Sequence, residues 1–368
     1  MSHLKLWLPL VFSGVALAQS ATGIPLEEFP SVLGLNPAGT RLYAIGYNKG
    51  GISVIDTDAK SVIATIPSGL VLPVSQGGDL VVSPDGTRIF VADQARNQIT
   101  VIDAATNKVT AGLAANSSPA SVVLTPNGRK LYAANNDFFT TGRFSLTVVD
   151  TAALSIKTIP LTIQPTGIAR TMLVNPSGTR VYVPGFGSGV SVIDTATDTV
   201  IATIQANAWR IALSPDGSRL YLYNQTPSTV IVVNTSTNSV VATIPVLKNG
   251  GSMDQIAITP DGTRLFVTHQ AGGVTEIDTR TNTVLSTAIV FPQMPMGLAV
   301  SADSTTVYVV EPTALQFIDV ATNSLGRVLP LPIPALPGPG PVVSPDGRRI
   351  FVAGTLGLTE IDFRTSIN

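Results

Sequence analysis

The chain has 368 residues, of which 22 are Lys or Arg and 23 are Asp or Glu, so it is nearly neutral. This balance gives no basis for binding nucleic acid or an anionic membrane surface, and we expect no nucleic-acid partner. The absence of cysteine excludes disulfides, thiolate metal sites, covalently attached haem and a lipid-modified amino-terminal cysteine.

The amino terminus predicts a secretory signal peptide at residues 1–18. Lys5 gives a positive start, Leu6–Ala18 is an apolar run, and Ala16-Leu17-Ala18 is a small-residue cleavage pattern. The alternative, a membrane anchor, is disfavoured because the run is shorter than the ~20 apolar residues that a spanning helix needs. No later stretch is long enough to span a membrane. We therefore expect one mature domain, residues 19–368, that is secreted or periplasmic and monomeric.

A unit of about 44 residues recurs along the rest of the chain. Its clearest copy, Ser83–Val109, holds a Pro-Asp-Gly turn, a strand with an aromatic residue, a polar loop, a strand ending in Asp103, and a second turn. Repeats of this period are typical of propellers and solenoids. The first turns are anchored, 39 to 50 residues apart, at Pro37, Pro84, Pro126, Pro176, Pro215, Pro260, Ala302 and Pro345.

Two further registers agree on eight copies. An aromatic residue follows each anchor by six positions, at Tyr43, Phe90, Tyr132, Tyr182, Tyr221, Phe266, Tyr308 and Phe351. The next strand of each copy ends at Asp56, Asp103, Asp150, Asp194, Asn234, Asp278, Asp319 or Asp362. The seventh copy departs from the pattern, since it reads Ser301-Ala302-Asp303-Ser304 where the others have a Pro-x-Gly turn.

Each copy supplies four short strands, which predicts one propeller blade. In the second copy the first three are Leu80–Val82, Ile89–Ala92 and Ile99–Asp103, and the fourth strand is clearest elsewhere, at Thr199–Ile204. A helical solenoid is disfavoured because no long segment has a 3.6-residue period. We predict an all-β propeller of eight four-stranded blades, with seven blades and an extra unit as the alternative.

The two ends of the chain are predicted to share a blade. The last copy has no fourth strand, whereas Ser20–Leu26 precede the first strand of the first copy. Within this surplus, Gly23-Ile24-Pro25 is similar to Thr65-Ile66-Pro67, the end of a fourth strand. We expect the amino-terminal strand to complete the last blade, because this pairing removes an exposed edge.

The pattern SPDG-x-R-aromatic-V followed by TVxVIDTxTNxVxATI resembles the YVTN β-propeller repeat of secreted and surface bacterial proteins. The best matches are Ser83–Val109, Asn175–Ile204, Ser214–Ile244 and Thr259–Val284. The resemblance covers nearly the whole mature chain. It implies an interaction module with a poorly defined ligand, because propellers of this type are mostly interaction modules.

The repeated polar and aromatic residues are predicted to be structural. The third-strand Asp and Asn residues build turns by accepting hydrogen bonds from backbone N–H groups, and the aromatic residues pack between blades. His269 is the one histidine of the mature chain and is expected in a loop. A chain with one histidine cannot form a multi-histidine metal site, and we expect no metal, no cofactor and no catalytic residue.

Candidate binding residues lie where the chain enters the first strands, near the central channel, and in one long loop. The arginines could bind a carboxylate or phosphate beside a tryptophan, or could pair with the aspartates at a wet channel mouth. Both interpretations stay open. The candidates are Asp79, Arg170, Trp209, Arg210, Asp254 and Gln255 at the channel, and Phe138 and Phe139 in the loop.

The sequence favours a non-enzymatic scaffold whose variable loops hold a protein, a glycan or a small anionic ligand. Function on rigid β scaffolds is usually carried by such loops. The alternative is an enzyme similar to the lactonase or quinoprotein propellers. The cluster of arginines and aspartates favours this alternative, and the single mature histidine disfavours it.

Overall fold

A computed structural model of the chain describes residues 20–46, 51–67, 79–135, 144–161, 172–185, 188–246, 255–269, 272–336 and 340–363. Within these ranges the chain forms 32 strands and no helix. The strands make eight antiparallel sheets of four strands each. The predicted eight-bladed propeller is confirmed, and the seven-bladed alternative is wrong. The predicted signal peptide lies outside the described residues.

The strands are numbered along the chain from β1 (Ser20–Pro25), which belongs to blade 8. Blade 1 consists of β2 (Pro30–Leu35), β3 (Arg41–Gly46), β4 (Gly51–Asp56) and β5 (Ser61–Pro67). Blade 2 consists of β6 (Leu80–Val82), β7 (Arg88–Asp93), β8 (Gln98–Asp103) and β9 (Lys108–Ala114). Blade 3 consists of β10 (Pro119–Leu124), β11 (Lys130–Asn135), β12 (Ser145–Asp150) and β13 (Ser155–Pro160). Blade 4 consists of β14 (Leu173–Val174), β15 (Arg180–Gly185), β16 (Gly189–Asp194) and β17 (Thr199–Ile204). Blade 5 consists of β18 (Arg210–Leu213), β19 (Arg219–Gln225), β20 (Ser228–Asn234) and β21 (Ser239–Pro245). Blade 6 consists of β22 (Ile256–Ile258), β23 (Arg264–His269), β24 (Gly273–Asp278) and β25 (Thr283–Val290). Blade 7 consists of β26 (Gly297–Val300), β27 (Thr306–Val310), β28 (Ala314–Asp319) and β29 (Ser324–Pro330). Blade 8 consists of β30 (Val342–Val343), β31 (Arg349–Gly354) and β32 (Gly357–Asp362), and β1 is its fourth, outermost strand.

The first strand of each blade is the innermost. First strands of neighbouring blades contact each other, for example β2 with β6 and β18 with β22, and β30 contacts β2 across the closure. In blades 1 to 7 the four strands pair in chain order. The strands therefore run outward from the centre as a meander, and each blade repeats the same layout.

The ring is closed by pairing between the two ends of the chain. Strand β1 runs antiparallel to β32, from Ser20 opposite Asp362 to Pro25 opposite Gly357. Just beyond, the Leu26 backbone N–H donates to the carbonyl oxygen of Leu356 over 3.1 Å. This pairing gives β32 a partner on its outer side, and the predicted closure is confirmed.

The core consists of eight hydrophobic clusters, each shared by two consecutive blades. Tyr43 of blade 1, for example, packs with Ile89 and Val91 of blade 2, and Phe351 of blade 8 packs with Leu42 and Ala44 of blade 1. All eight repeated aromatic residues are buried in these clusters. Each blade thus buries its repeated aromatic side chain against the next blade, as the sequence predicted.

The turns between first and second strands lie on one side of the ring, which we call the turn face. In blade 2, the Gly86 backbone N–H donates to the Ser83 carbonyl oxygen over 2.8 Å, and Gly86 has a φ of 71°. This left-handed conformation favours glycine. Neighbouring turns also touch, because a Cβ on Gly128 would lie 3.0 Å from Cδ of Pro84 in the preceding blade.

The irregular seventh copy still forms its turn. Ser304 replaces glycine with a φ of 63°, and its backbone N–H donates to the Ser301 carbonyl oxygen over 3.0 Å. The Ser304 hydroxyl oxygen accepts a hydrogen bond from the Asp261 backbone N–H of blade 6 at 3.0 Å. A hydrogen bond to the preceding blade therefore accompanies the strained conformation at this position.

The turns between third and fourth strands are built by the repeated Asp and Asn residues, as predicted. Asp103 Oδ1 accepts from the backbone N–H groups of Thr106 at 2.7 Å and Ala105 at 3.1 Å. Hydrogen bonds from the Thr106 hydroxyl and from these backbone groups hold the pKa of Asp103 below its ordinary value. Corresponding bonds occur at Asp56, Asp150, Asp194, Asn234, Asp278 and Asp319.

A basic residue begins the second strand in seven of the eight blades. Arg41 donates to the Ala104 carbonyl oxygen of blade 2 at 2.7 Å, and Lys130 donates to the Thr195 carbonyl oxygen of blade 4 at 2.6 Å. Both carbonyls directly follow the third-strand aspartate of the next blade. On the turn face, five of these seven basic residues bond to the next blade, whereas Arg264 bonds within its own blade.

Replacing Ile24 of β1 with alanine tests the closure. Ile24 is 1% exposed and packs in the cluster shared by blades 8 and 1. Because a cavity there is enclosed by both blades, we expect Ile24→Ala to lower the free energy of unfolding by about 3 kcal/mol, measured by urea denaturation. Ile63→Ala on β5, where the side chain is 47% exposed, should change it by no more than about 0.5 kcal/mol. If Ile24→Ala lowers the free energy of unfolding as little as Ile63→Ala does, the closure is contradicted.

Candidate functional site

The face opposite the turns carries the ends of the second strands and the links between blades, and we call it the loop face. The starts of the first strands open toward it. Four of the predicted site residues are described: Asp79, Trp209, Arg210 and Gln255. Four others lie outside the described residues: Phe138, Phe139, Arg170 and Asp254.

Asp79 joins blade 2 to blade 3. Its Oδ2 accepts hydrogen bonds from the Ser121 hydroxyl and the Val122 backbone N–H, both at 3.0 Å, and its Oδ1 accepts from the Leu80 N–H at 2.9 Å. Burial raises the pKa of Asp79 to about 6, although the three hydrogen bonds act in the opposite direction. The carboxyl group therefore holds the innermost strand of blade 3 in place.

Trp209 and Arg210 form a pair where the chain enters blade 5. The Trp209 ring packs against the core shared by blades 5 and 6, and its backbone N–H donates to Tyr223 O at 2.7 Å. The guanidinium carbon of Arg210 lies 6.0 Å from the centre of the indole ring, at the outer range of a cation–π contact. Both residues are half-buried, so this pair presents a positive charge beside an aromatic ring.

Gln255 lies just before the first strand of blade 6. Its backbone N–H donates to the Thr268 hydroxyl at 2.8 Å, and its carbonyl oxygen accepts from the Thr268 N–H at 3.0 Å. These bonds fix the backbone at the start of β22 beside the end of β23. The side chain of Gln255 is half-buried.

The four described candidates do not form one cluster. Asp79 belongs to the inner edge of blade 2, the Trp209–Arg210 pair to blade 5, and Gln255 to blade 6. The three hydrogen bonds that the Asp79 carboxylate accepts come from blades 2 and 3. The assignment of the eight residues to ligand binding stays a prediction.

A recurring position that the sequence predictions did not identify as one set lies at the loop-face end of the second strands. It follows each repeated aromatic residue by three positions, so the same register could have located it. Side chains at four of these positions are almost completely buried, with exposures of 0 to 2%. The eight residues are Gly46, Asp93, Asn135, Gly185, Asn224, His269, Glu311 and Gly354, and the four buried side chains belong to Asp93, Asn135, His269 and Glu311.

Two of the four are held by polar residues of the third strand. The Asn135 side-chain N–H donates to the Thr147 hydroxyl at 2.9 Å. Asp93 Oδ2 accepts from the Thr100 hydroxyl at 3.3 Å and forms a salt bridge with Arg96 at 3.2 Å. Such bonds satisfy the buried groups and set the direction of each side chain.

His269 is the last residue of β23 and is fully buried, so the prediction of a loop histidine is wrong. Its Nε2 lies 2.7 Å from the Thr275 hydroxyl, and its Nδ1 has no hydrogen-bond partner within the described part of the chain. Burial lowers the pKa of His269 to about 4. The ring is therefore neutral near pH 7. In blade 7, Glu311 Oε1 accepts from the Gln293 backbone N–H at 3.0 Å.

A cleft of about 210 Å³ lies on the loop face beside the closure. A Cβ on Gly46 would lie 2.4 Å from Oε2 and 2.9 Å from Cβ of Glu28, so a larger residue at this position would displace the Glu28 side chain. The cleft combines two carboxylates and two hydroxyls with apolar walls, including Glu27, Glu28, Ser53, Thr65, Leu26 and Pro30. This lining suits hydroxyl-rich or cationic groups. No three His, Cys, Asp or Glu residues among those described come together as a metal site.

Comparisons with known proteins support the fold. No family model matches the chain. The chain is 28% identical over 260 residues to the uncharacterized protein YncE of Salmonella typhi and to that of Salmonella typhimurium strain LT2, covering 65% of this chain and 71% of YncE.

Two solved structures share the architecture at low identity. The Kuenenia stuttgartiensis hydrazine synthase superposes with a TM-score of 0.59 and 17% identity, over 92% of this chain and 96% of that one. The dihydro-heme d1 dehydrogenase NirN in complex with DHE has a TM-score of 0.67 and 19% identity, over 90% of this chain and 72% of that one. These likenesses show the propeller fold alone, and the resemblance to the YVTN family stays a prediction.

The buried ring of His269 predicts a specific pH dependence. The unfolded chain binds a proton at this ring below about pH 6.5 and the folded chain only below about pH 4, so the contribution of His269 to stability is full above pH 6.5 and is lost toward pH 4. Relative to His269→Gln, the wild type should therefore gain roughly 3 kcal/mol of unfolding free energy between pH 4 and pH 7. Urea denaturation at both pH values measures this difference. A difference that stays constant with pH would show that the folded ring titrates normally.

Proposed function

We propose that the protein is a secreted or periplasmic binding scaffold that holds a protein, a glycan or a small anionic ligand on its loop face. The contrast between the two faces carries this proposal. The turn face repeats the same turn residues, whereas the loop-face links between second and third strands vary from two residues, 226–227, to nine residues, 136–144. A uniform scaffold with a varied rim is the arrangement expected of a recognition surface.

The Trp209–Arg210 pair supports an anionic group as one recognised element. A guanidinium offers a carboxylate or phosphate several N–H donors in one plane, and the neighbouring indole offers a flat apolar surface. Arg170, Asp254, Gln255, Phe138 and Phe139 are proposed to extend this surface. Asp79 is proposed to contribute at the channel edge while it holds blade 3.

The cleft beside the closure supports a second kind of contact on the same face. Its two glutamates and Ser53 can accept hydrogen bonds from sugar hydroxyls or from a lysine side chain, and its apolar wall can cover the rest of the ligand. A ligand that spans the loop face would therefore contact a positive charge at Arg210 and negative charges at Glu27 and Glu28.

Export is proposed from the amino-terminal sequence. Residues 1–18 have the charge, the apolar run and the small residues of a cleaved signal peptide. Within the described ranges, the chain has no helix that is long and apolar enough to cross a membrane.

A crosslinking pull-down with matched variants tests the proposal. The bait is the chain from Gln19, incubated with the envelope and secreted fractions of the producing cell. We expect it to capture a partner that is lost with Arg170→Ala/Arg210→Ala. The matched control is Arg129→Ala/Arg348→Ala, which removes the same charge from exposed arginines in the turns of the opposite face.

The three baits must have equal melting temperatures for the comparison to hold. Capture by the wild type and the control but not by the loop-face variant would place recognition on the loop face. Equal loss with both variants, or equal capture by all three baits, would contradict the proposal. If no bait captures a macromolecule, thermal shifts with glycans and small carboxylates follow, and the absence of any loop-face-dependent shift also contradicts it.

A further inference from the structure

A polar cleft of about 290 Å³ opens on the turn face where blade 5 meets blade 6. It lies on the side of the ring opposite the proposed recognition surface. Four of its five lining residues are polar and one of them is charged: the lining consists of Ser218, Arg219, Asn234, Val241 and Asn282.

At the position of Arg219, the basic residues of blades 3, 6 and 8 form salt bridges with carboxylates. Those of blades 1, 2 and 4 form none with described residues, but each lies opposite an aspartate in its strand pair. In blade 6, Arg264 forms salt bridges with Glu276 and Asp278, each at 3.0 Å. In blade 3, Lys130 bonds to Asp198 of the next blade at 2.9 Å. A carboxylate therefore reaches the basic residue either from the end of its own third strand or from the next blade.

At Arg219 both of these carboxylate positions are occupied by asparagine. Asn234 stands where blade 6 has Asp278, and Asn282 stands where blade 4 has Asp198. The Arg219 guanidinium makes one long hydrogen bond, from Nη1 to Asn282 Oδ1 at 3.4 Å, and no salt bridge with any described residue. The cleft therefore holds a guanidinium that forms no salt bridge with any described carboxylate, although the Asp216 carboxylate bonds to Ser218 at its edge.

The orientation of Asn234 adds a second donor to the cleft. Asn234 lies directly opposite Arg219 in the strand pair, and its Oδ1 accepts from the backbone N–H groups of Ser236 at 2.9 Å and Thr237 at 3.3 Å. An atom that accepts from two N–H groups must be the amide oxygen. The amide nitrogen then takes the place of the carboxylate oxygen that Asp278 directs at Arg264.

We propose that this cleft binds a small oxyanion, such as phosphate, sulfate or a carboxylate. The Arg219 guanidinium and the Asn234 side-chain amide are half-buried and have N–H groups that bond to no described acceptor. An oxyanion between them receives charge-assisted hydrogen bonds from the arginine. The Asn282 side-chain amide adds a further donor at the rim, since its Oδ1 accepts from Arg219, whereas the Ser218 hydroxyl already donates to Asp216. The site does not depend on the function proposed for the loop face.

Titration with inorganic phosphate at constant ionic strength tests the site, with chloride as the balancing anion. The readout is the NMR signal of Arg219 Nε–H and of the Asn234 side-chain amide in the chain from Gln19. We expect saturable shifts in the wild type. Asn234→Asp supplies the missing carboxylate from within the blade and should weaken phosphate binding by about tenfold or more.

Asn127→Asp is the matched control, because it adds the same charge on the turn face at a position where other blades have aspartate. It should leave the phosphate affinity unchanged, and Arg219→Gln should abolish binding. Sulfate and acetate titrations distinguish a tetrahedral from a carboxylate ligand. The proposal is overturned if none of the three anions gives saturable shifts, or if Asn234→Asp binds as tightly as the wild type.

Discussion

The structure depends on the burial of one aromatic residue per blade against the next blade. Phe90, for example, is fully buried among residues of blades 2 and 3, and no blade encloses its own aromatic residue completely. A row of such units would leave one large apolar surface exposed at each end, which favours closing the row into a ring. The pairing of β1 with β32 completes the last blade, so that Phe351 can pack against blade 1.

This constraint divides the molecule into two faces that differ in how far their residues vary from blade to blade. On the turn face, glycine at a positive φ and the basic residues that reach the next blade recur because they contact a neighbouring copy. The aspartates recur because each builds the turn of its own blade. Blade 5 departs from this rule at Asn234, and Arg219 there forms no salt bridge with any described residue. On the loop face, Asp93, Asn135 and His269 occupy the same position with different chemistry, since each is bonded mainly within its own blade.

The sequence predicted the fold well because its signals are local and repeated. Leu80–Val82 and Thr199–Ile204 were located to the residue, and the closing strand was identified from its likeness to the end of β5. The site was predicted less well. Spacing along the chain assigns a residue to a blade but does not tell which distant side chain it meets, so Asp79 and Arg210 were grouped although they bond within separate parts of the ring. His269 was placed in a loop because no sequence signal marked where β23 ends.

Amide hydrogen exchange of the closing strand tests the interdependence of the blades most directly. If the ring is held closed by β1, the amides of Ser20–Ile24 should exchange with the same free energy of opening as those of β31 and β32, because all of them open only in global unfolding. Exchange from β1 that is orders of magnitude faster, with the rest of blade 8 still protected, would contradict the account. It would show that the amino-terminal strand only covers an edge and that the ring is held without it.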